Sequence, residues 1–173
     1  MRGGSRSFLR DPRNDTFRKS DCEFSPSGFA PDEGENAAEL AARFPGSTLG
    51  AALEAVPLGD GTADLYIHPD RFHSQFCADL PSGQAALMAA TQRPVRDVAL
   101  NGASGPPAWR GIPSWFVIAG EDRNIPAELQ RMMARRANAV DVVEVDGASH
   151  AIAVSAPDVV TAAIHAACKH VAG

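Results

Sequence analysis

Two short apolar runs late in the chain set its pattern, one from Trp115 to Ala119 and one from Val140 to Val145. Each has the length of a strand, and each stops at a turn signal: Gly120-Glu-Asp122 after the first, Gly147-Ala-Ser-His150 after the second. Apolar runs bounded in this way read as buried strands. Between them Asn124-Ile-Pro126 turns the chain into a helix, with Pro126 in the first turn and Leu129, Met132, Met133 and Ala137 as its buried stripe up to about Asn138. After the second run Ser155-Ala-Pro-Asp158 forms an S-x-x-D helix start, followed by Val160, Ile164, Ala167 and Val171 at helical spacing. Strand, helix, strand, loop and helix over 113–171 predict a parallel α/β arrangement. An acid, Asp122, and a histidine, His150, then leave the same edge of the sheet.

Upstream the pattern is less regular. Asn36 is placed to cap a helix over Ala37 to Arg43, which Pro45-Gly46 ends. The stretch from Leu49 to Gly61 has no clear period, although Asp60-Gly61 before Leu65-Tyr66-Ile67 suggests a small hairpin. Helices are expected over Arg71 to Asp79 and Ser82 to Gln92, joined at Pro81, with Ala85, Met88 and Ala89 on one packing face of the second. The region from about 32 to 107 reads as an insertion rather than as sheet. Residues 1–28 differ again: six basic and four acidic side chains, few apolar ones and no period. Such a segment buries too little apolar surface to offset its ordering entropy and is expected to be a solvated, unrelated tail.

Composition narrows the function classes. At 173 residues and 45% hydrophobic, the chain suffices for one domain with a sizeable core. A net charge of -5 provides no basic field for phosphates, so nucleic acid is not an expected partner. No apolar run reaches the roughly 18 residues of a membrane span, and the basic N-terminus lacks the apolar segment of a secretory leader. The cytoplasm is the expected location and no membrane partner is expected. Cys22, Cys77 and Cys168 are odd in number and far apart, and read as reduced thiols. His68-x-Asp70-x-x-His73 matches no common metal-ligand spacing. His165 and His170 stand five apart on a helix, off one face. Asp32, Glu33 and Glu35 could be read as paired carboxylates, but a solvated turn accounts for them. No glycine-rich phosphate loop is present. Neither a metal nor a cofactor is expected.

A set of motifs then carries a resemblance: Phe29-Ala-Pro-Asp-Glu-Gly-Glu35, Gln92-Arg-Pro94, Ala108-Trp109, Pro113-Ser-Trp115, Gly120-Glu-Asp122-x-x-Ile-Pro126, Met133-Ala-x-Arg-Ala137 and Gly147-Ala-Ser-His150. Their order and spacing resemble the α/β-hydrolase superfamily, in particular a small bacterial esterase-like branch related to plant hydroxynitrile lyases and salicylate esterases. The resemblance spans about 29–171. It implies a partial α/β-hydrolase fold of two to three parallel strands with flanking helices: core from 29–35 and 108–173, a helical cap at 36–107, and the tail at 1–28. It implies that Asp122 and His150, 28 residues apart, hold the acid and base positions of a Ser-His-Asp triad, with small carboxylic esters as substrates. Trp109, Trp115, Phe72, Phe76 and Met88 are the expected walls of the substrate pocket.

The same resemblance exposes a gap. The family's nucleophile lies in G-x-S-x-G on a strained strand-to-helix turn ahead of the acid, and no such pentapeptide occurs in the sequence. Gly102-Ala-Ser104-Gly105 has the residue types at the wrong spacing, Ser149 adjoins His150, and Ser114 begins a strand expected to be buried. The expectation is therefore a hydrolase-family chain with little or no esterase activity of its own. The alternative is a non-catalytic domain that binds a small molecule or pairs with another chain. The strand at 114–119 is expected to pair on one side with only the stub of a strand ending at Phe29, which would uncover an apolar edge and favour self-association.

Overall fold

The computed structural model describes residues 21–172. Its core is a parallel sheet of β1 (Glu23–Pro26), β5 (Ser114–Ala119) and β6 (Asp141–Val145), with β5 in the middle. Ser114 to Ala119 is buried at all six positions, as a central strand covered on both faces requires. Alternate residues serve opposite faces. Phe116 packs with Leu129, Met133 and Ala134 of helix α6 (Ala127–Arg136), whereas Val117 and Ala119 pack with Val160 and Ala163 of helix α8 (Pro157–Ala172). Each fully buried aliphatic or aromatic side chain here contributes about 1.5–3 kcal/mol.

Three expectations about this core change. Residues 23–26, expected to belong to a solvated tail, form β1 and pair in parallel with Ser114 to Val117, so the tail boundary at 28 does not hold for them. Glu23-Phe-Ser-Pro has no strand pattern of its own, and the ladder offered by β5 supplies its conformation. As a result β5 is flanked on both sides, and among the described residues the edges of the sheet lie on β1 and β6. Residues 1–20, the rest of the expected tail, lie outside the described residues. β6 was expected to be buried, but it is an edge strand and half of it faces solvent, with Val142 44% exposed. In α8 the buried positions are Val160, Ala163 and Ala167, while Ile164 and Val171 of the predicted stripe are exposed. The helix also begins at Pro157, Ser155 being the last residue of a one-turn helix, α7 (Ile152–Ser155).

The motif at 29–35 closes the other end of the core. Asn36 caps α1 (Ala37–Ala42) by accepting from the Glu39 N–H at 2.8 Å, as its spacing predicts. Asp32 and Glu35 are not the solvated turn acids expected of them. Asp32 pairs with Arg110 at 2.6 Å, and Glu35 receives Arg43 and Arg136, each at 2.8 Å. Burial pushes the Glu35 carboxyl up, but the Asp32 N–H and the two arginines outweigh it and hold it below the usual range. Trp109, in the 3-10 turn Ala108–Arg110, donates its indole N–H to the Pro31 carbonyl at 3.1 Å.

Within the segment from 36 to 107, Ala52, Ile67, Phe72, Cys77, Leu80 and Ala85 cluster together with Ala151 from outside it, whereas Leu40 of α1 packs into the core with Phe116 and Leu129. The segment contains α2 (Leu49–Ala52), α3 (Pro69–Phe76), α4 (Ser82–Thr91) and α5 (Asp97–Asn101). The suggested hairpin is present as β2 (Leu53–Pro57) and β3 (Ala63–Ile67), and β4 (Val95–Arg96) extends it to a three-stranded antiparallel sheet. Helices thus share the segment expected to form a cap with a small sheet that periodicity did not reveal in full. Gln92 of the Gln-Arg-Pro motif ties the two parts together, accepting from the Ile67 N–H at 3.0 Å and donating to the Ile67 carbonyl at 2.8 Å.

Candidate active site

The site begins where β5 ends. Gly120 donates to the Val145 carbonyl at 3.0 Å, and a Cβ at this position would stand 3.2 Å from the same oxygen. Glycine therefore lets the acid-bearing loop pass close over the end of β6. Glu121 N–H reaches the Ala148 carbonyl at 2.9 Å, which links that loop to the one carrying the histidine. Gly147, at φ +72°, makes the turn that starts the second loop.

Asp122 is fully buried at its side chain. Its Oδ1 accepts the N–H groups of Asn124 at 2.8 Å and Ile125 at 3.0 Å, and its Oδ2 accepts Gln130 Nε2 at 2.9 Å and lies 2.8 Å from His150 Nδ1. A carboxylate surrounded by donors in this way acts as acceptor on both oxygens. Its partner nitrogen is then the protonated Nδ1, which leaves Nε2 of a neutral imidazole with a free lone pair. The His150 ring is 20% exposed and meets the Phe76 ring edge to face at 4.9 Å. An acid that fixes the tautomer of a partly exposed histidine leaves the other ring nitrogen able to accept a proton.

His150 lies in the wall of a cavity of about 540 Å³, the size of a small-molecule site. Of the five expected wall residues, Phe72, Phe76 and Met88 line it. Trp109 and Trp115 do not. Trp115 sits at the start of β5, the opposite end from Asp122, where it meets His170 of α8; Trp109 packs into the core beneath Pro31. Both are core because the cavity opens only where the strands end.

The serines considered from sequence are occupied elsewhere. Ser104 exchanges backbone hydrogen bonds with Gly34 and Glu35, Ser114 is buried at the start of β5, and Ser149 binds Asp79 through its hydroxyl and its N–H, the latter at 3.0 Å. Ser27, in the segment set aside as tail, is buried at φ +44° and reaches the cavity wall. Cys77 is fully buried in the cap, and burial, with the nearby Asp79 charge, pushes its thiol up, away from the thiolate a nucleophile needs. His73 of the suggested metal motif binds the Leu80 carbonyl at 2.8 Å, and among the described residues no three potential ligands converge.

Sequence reasoning missed the supporting polar groups. Gln130 left one signal, a polar residue between Leu129 and Met133 on the buried side of its helix. Gln75, Asp79 and Asn124 left none, because their partners are remote in the chain.

The Alpha/beta hydrolase family model matches residues 12–163. Among solved structures the chain is similar to polyneuridine aldehyde esterase, with 15% identity over 85% of this chain and 62% of that one at a TM-score of 0.68. It is also similar to a methylesterase from Arabidopsis, with 13% identity over 87% and 59% at 0.66, and to the pyrethroid hydrolase PytH, with 22% identity over 82% and 58% at 0.59. The chain thus spans about three fifths of the length of these structures. No curated protein matches the sequence. Among the described residues, no helix is long and apolar enough to cross a membrane.

Proposed function

Given that the chain belongs to the α/β-hydrolase family, we propose that it carries the acid–base half of an esterase site, built for small, largely apolar carboxylic esters. In this reading His150 Nε2 takes the proton of an attacking hydroxyl as the ester carbonyl becomes tetrahedral. The imidazolium then returns that proton to the departing alkoxide, while Asp122 stabilises the imidazolium and holds its orientation. No metal or cofactor takes part in these steps. The observation that carries the reading is the 2.8 Å approach of His150 Nδ1 to the buried Asp122 carboxylate, at the wall of an apolar cavity.

The sequence contains no G-x-S-x-G, so the reading assigns little or no serine-esterase turnover to these 173 residues. The intact cavity supports a second reading, non-catalytic binding of a small apolar molecule. One assay addresses both: hydrolysis of an activated acetate ester by the parent chain and by His150→Ala. Equal rates at the level of the uncatalysed reaction are expected. Turnover in the parent that His150→Ala abolishes would overturn the proposed inactivity and would require a nucleophile within the chain. Binding of a small aryl ester with no difference in hydrolysis would favour the second reading.

A further inference from the structure

One short stretch of the cap, Ser74 to Asp79, is bonded to both loops that carry the pair. Toward the acid loop, Gln75 Nε2 donates to the Arg123 carbonyl at 2.8 Å and to Asn124 Oδ1 at 2.9 Å, and Arg123 donates to the Ser74 carbonyl at 3.0 Å. Gln75 is only 6% exposed, and its own Oε1 accepts Thr48 Oγ1 at 2.7 Å, so its orientation is set. Toward the histidine loop, Asp79 accepts both the Ser149 N–H, at 3.0 Å, and the Ser149 hydroxyl, while the Ala151 N–H donates to the Phe76 carbonyl at 3.0 Å. Ala151 packs inside the cap's own apolar cluster. The residues on either side of His150 are therefore both held by the cap.

We propose that Asp79 and Gln75 are positioning residues for the acid–base pair: the cap sets the distance between His150 and Asp122 by gripping one loop at each end of the Ser74–Asp79 stretch. The role rests on the proposed reading of Asp122 and His150 as that pair. The acid loop alone does not define where the histidine ring lies, because the ring makes one hydrogen bond, donated from Nδ1 to Asp122, while the backbone neighbours of His150 bond to the cap. Asp79 suits the task at neutral pH. Burial raises its carboxyl, but the Ser149 and Ser155 side chains together with the Ser149 and Asp79 N–H groups outweigh this and hold it low, so the acceptor is charged and strong. A looser loop would let the ring sample orientations that lack the Nδ1–Oδ2 bond. The substrate-facing nitrogen would then lose its fixed tautomer.

The test is read at the ring itself, by nitrogen-15 NMR of histidine-labelled full chain. Asp79→Ala should raise solvent exchange of the His150 Nδ1 proton about tenfold, the scale of losing a charge-assisted hydrogen bond. Its ring nitrogen shifts should move toward the average of the two tautomers. Asp79→Asn, which keeps a carbonyl oxygen for Ser149, should restore most of the parent signal, and Gln75→Ala should act in the same direction as Asp79→Ala. Asp60→Ala removes an acceptor from the exposed β2–β3 turn of the cap and should leave the ring signal unchanged. If Asp79→Ala does not fold, Ser149→Ala, which keeps the backbone bond, should give a smaller change of the same sign. An unchanged His150 signal in folded Asp79→Ala or Ser149→Ala would overturn the proposal. So would a change in Asp60→Ala equal to that in Asp79→Ala, since that would mean general loosening of the cap. None of these readings depends on ester turnover, so failure of the esterase reading and failure of this one are separable.

Discussion

The loop that carries Asp122 and the loop that carries His150 stand side by side, yet they are built on different terms. In the acid loop the Asp122 carboxylate is held mainly from nearby chain, although Gln75 and Ser74 also bond to Arg123 and Asn124. Asp122 binds two N–H groups within three residues of itself and a glutamine eight residues on, in the helix that the loop leads into. The histidine loop makes its side-chain and packing contacts across the chain, to Asp79, 70 residues away, and to Phe76. Geometry that is encoded locally survives changes elsewhere in the fold. Geometry borrowed from a remote element lasts only as long as that element stays docked.

The largest test of this contrast is Asp122→Ala. Losing the carboxylate strands the buried N–H groups of Asn124 and Ile125 and leaves Gln130 Nε2 with the Ile125 carbonyl alone, and a cost of about 3–5 kcal/mol in denaturant unfolding is expected. Gln130 is itself only 1% exposed, so Gln130→Ala removes one donor and leaves a small void, and about 2 kcal/mol is expected from the same measurement. Asp79→Ala should cost about 1 kcal/mol globally, but its effect should be uneven. Hydrogen exchange should speed up at Ser149 and Ala151 and stay unchanged at Asn124 and Ile125. Equal acceleration in both loops would break the comparison.

The Asp79 contribution also has a pH signature. Its carboxyl is held below the ordinary value, so its stabilisation is fully present above the ordinary carboxylate range and is lost as pH falls through the lowered, folded-state value. The stability difference between the parent and Asp79→Asn should therefore shrink on acidification below about pH 4. A difference that grows with acid would show that the charge does not hold the loop. The smallest effects are expected on the exposed side of α8. Ile164→Thr and Val171→Thr, at 41% and 38% exposure, should each stay within about 0.5 kcal/mol. A larger loss would mean that the face is covered in solution, which sedimentation analysis would reveal as self-association.

Much of the acid side was legible in the sequence. The run from Trp115 to Ala119, the glycine after it, Asp122 and the helix stripe through Leu129 and Met133 are adjacent in the chain, so residue pattern and structure report the same thing. The hydrophobic stripe of α8 was legible only in part. Ile164 has the spacing of a buried residue, but the sheet is narrow and the helix rests on it through the smaller Ala163 and Ala167. β1 was not legible, because four residues without alternation become a strand only when β5 offers a ladder. The two tryptophans misled for a similar reason: size and aromaticity suit a pocket wall and a core equally, and only their position along the strand or beneath the loop decides between them.

By itself the sequence determined the order of elements over 113–171, the family motifs, the acid and the histidine, and the lack of a G-x-S-x-G nucleophile motif. These rest on short-range pattern and residue chemistry, which a linear chain displays openly. The tertiary structure alone decided that β5 has a neighbour on each side, that Phe72, Phe76 and Met88 reach the cavity while Trp109 and Trp115 do not, and that Ser149 of the histidine loop bonds to Asp79. Those facts depend on which remote groups are brought within hydrogen-bonding or van der Waals distance, and chain order carries no record of that distance.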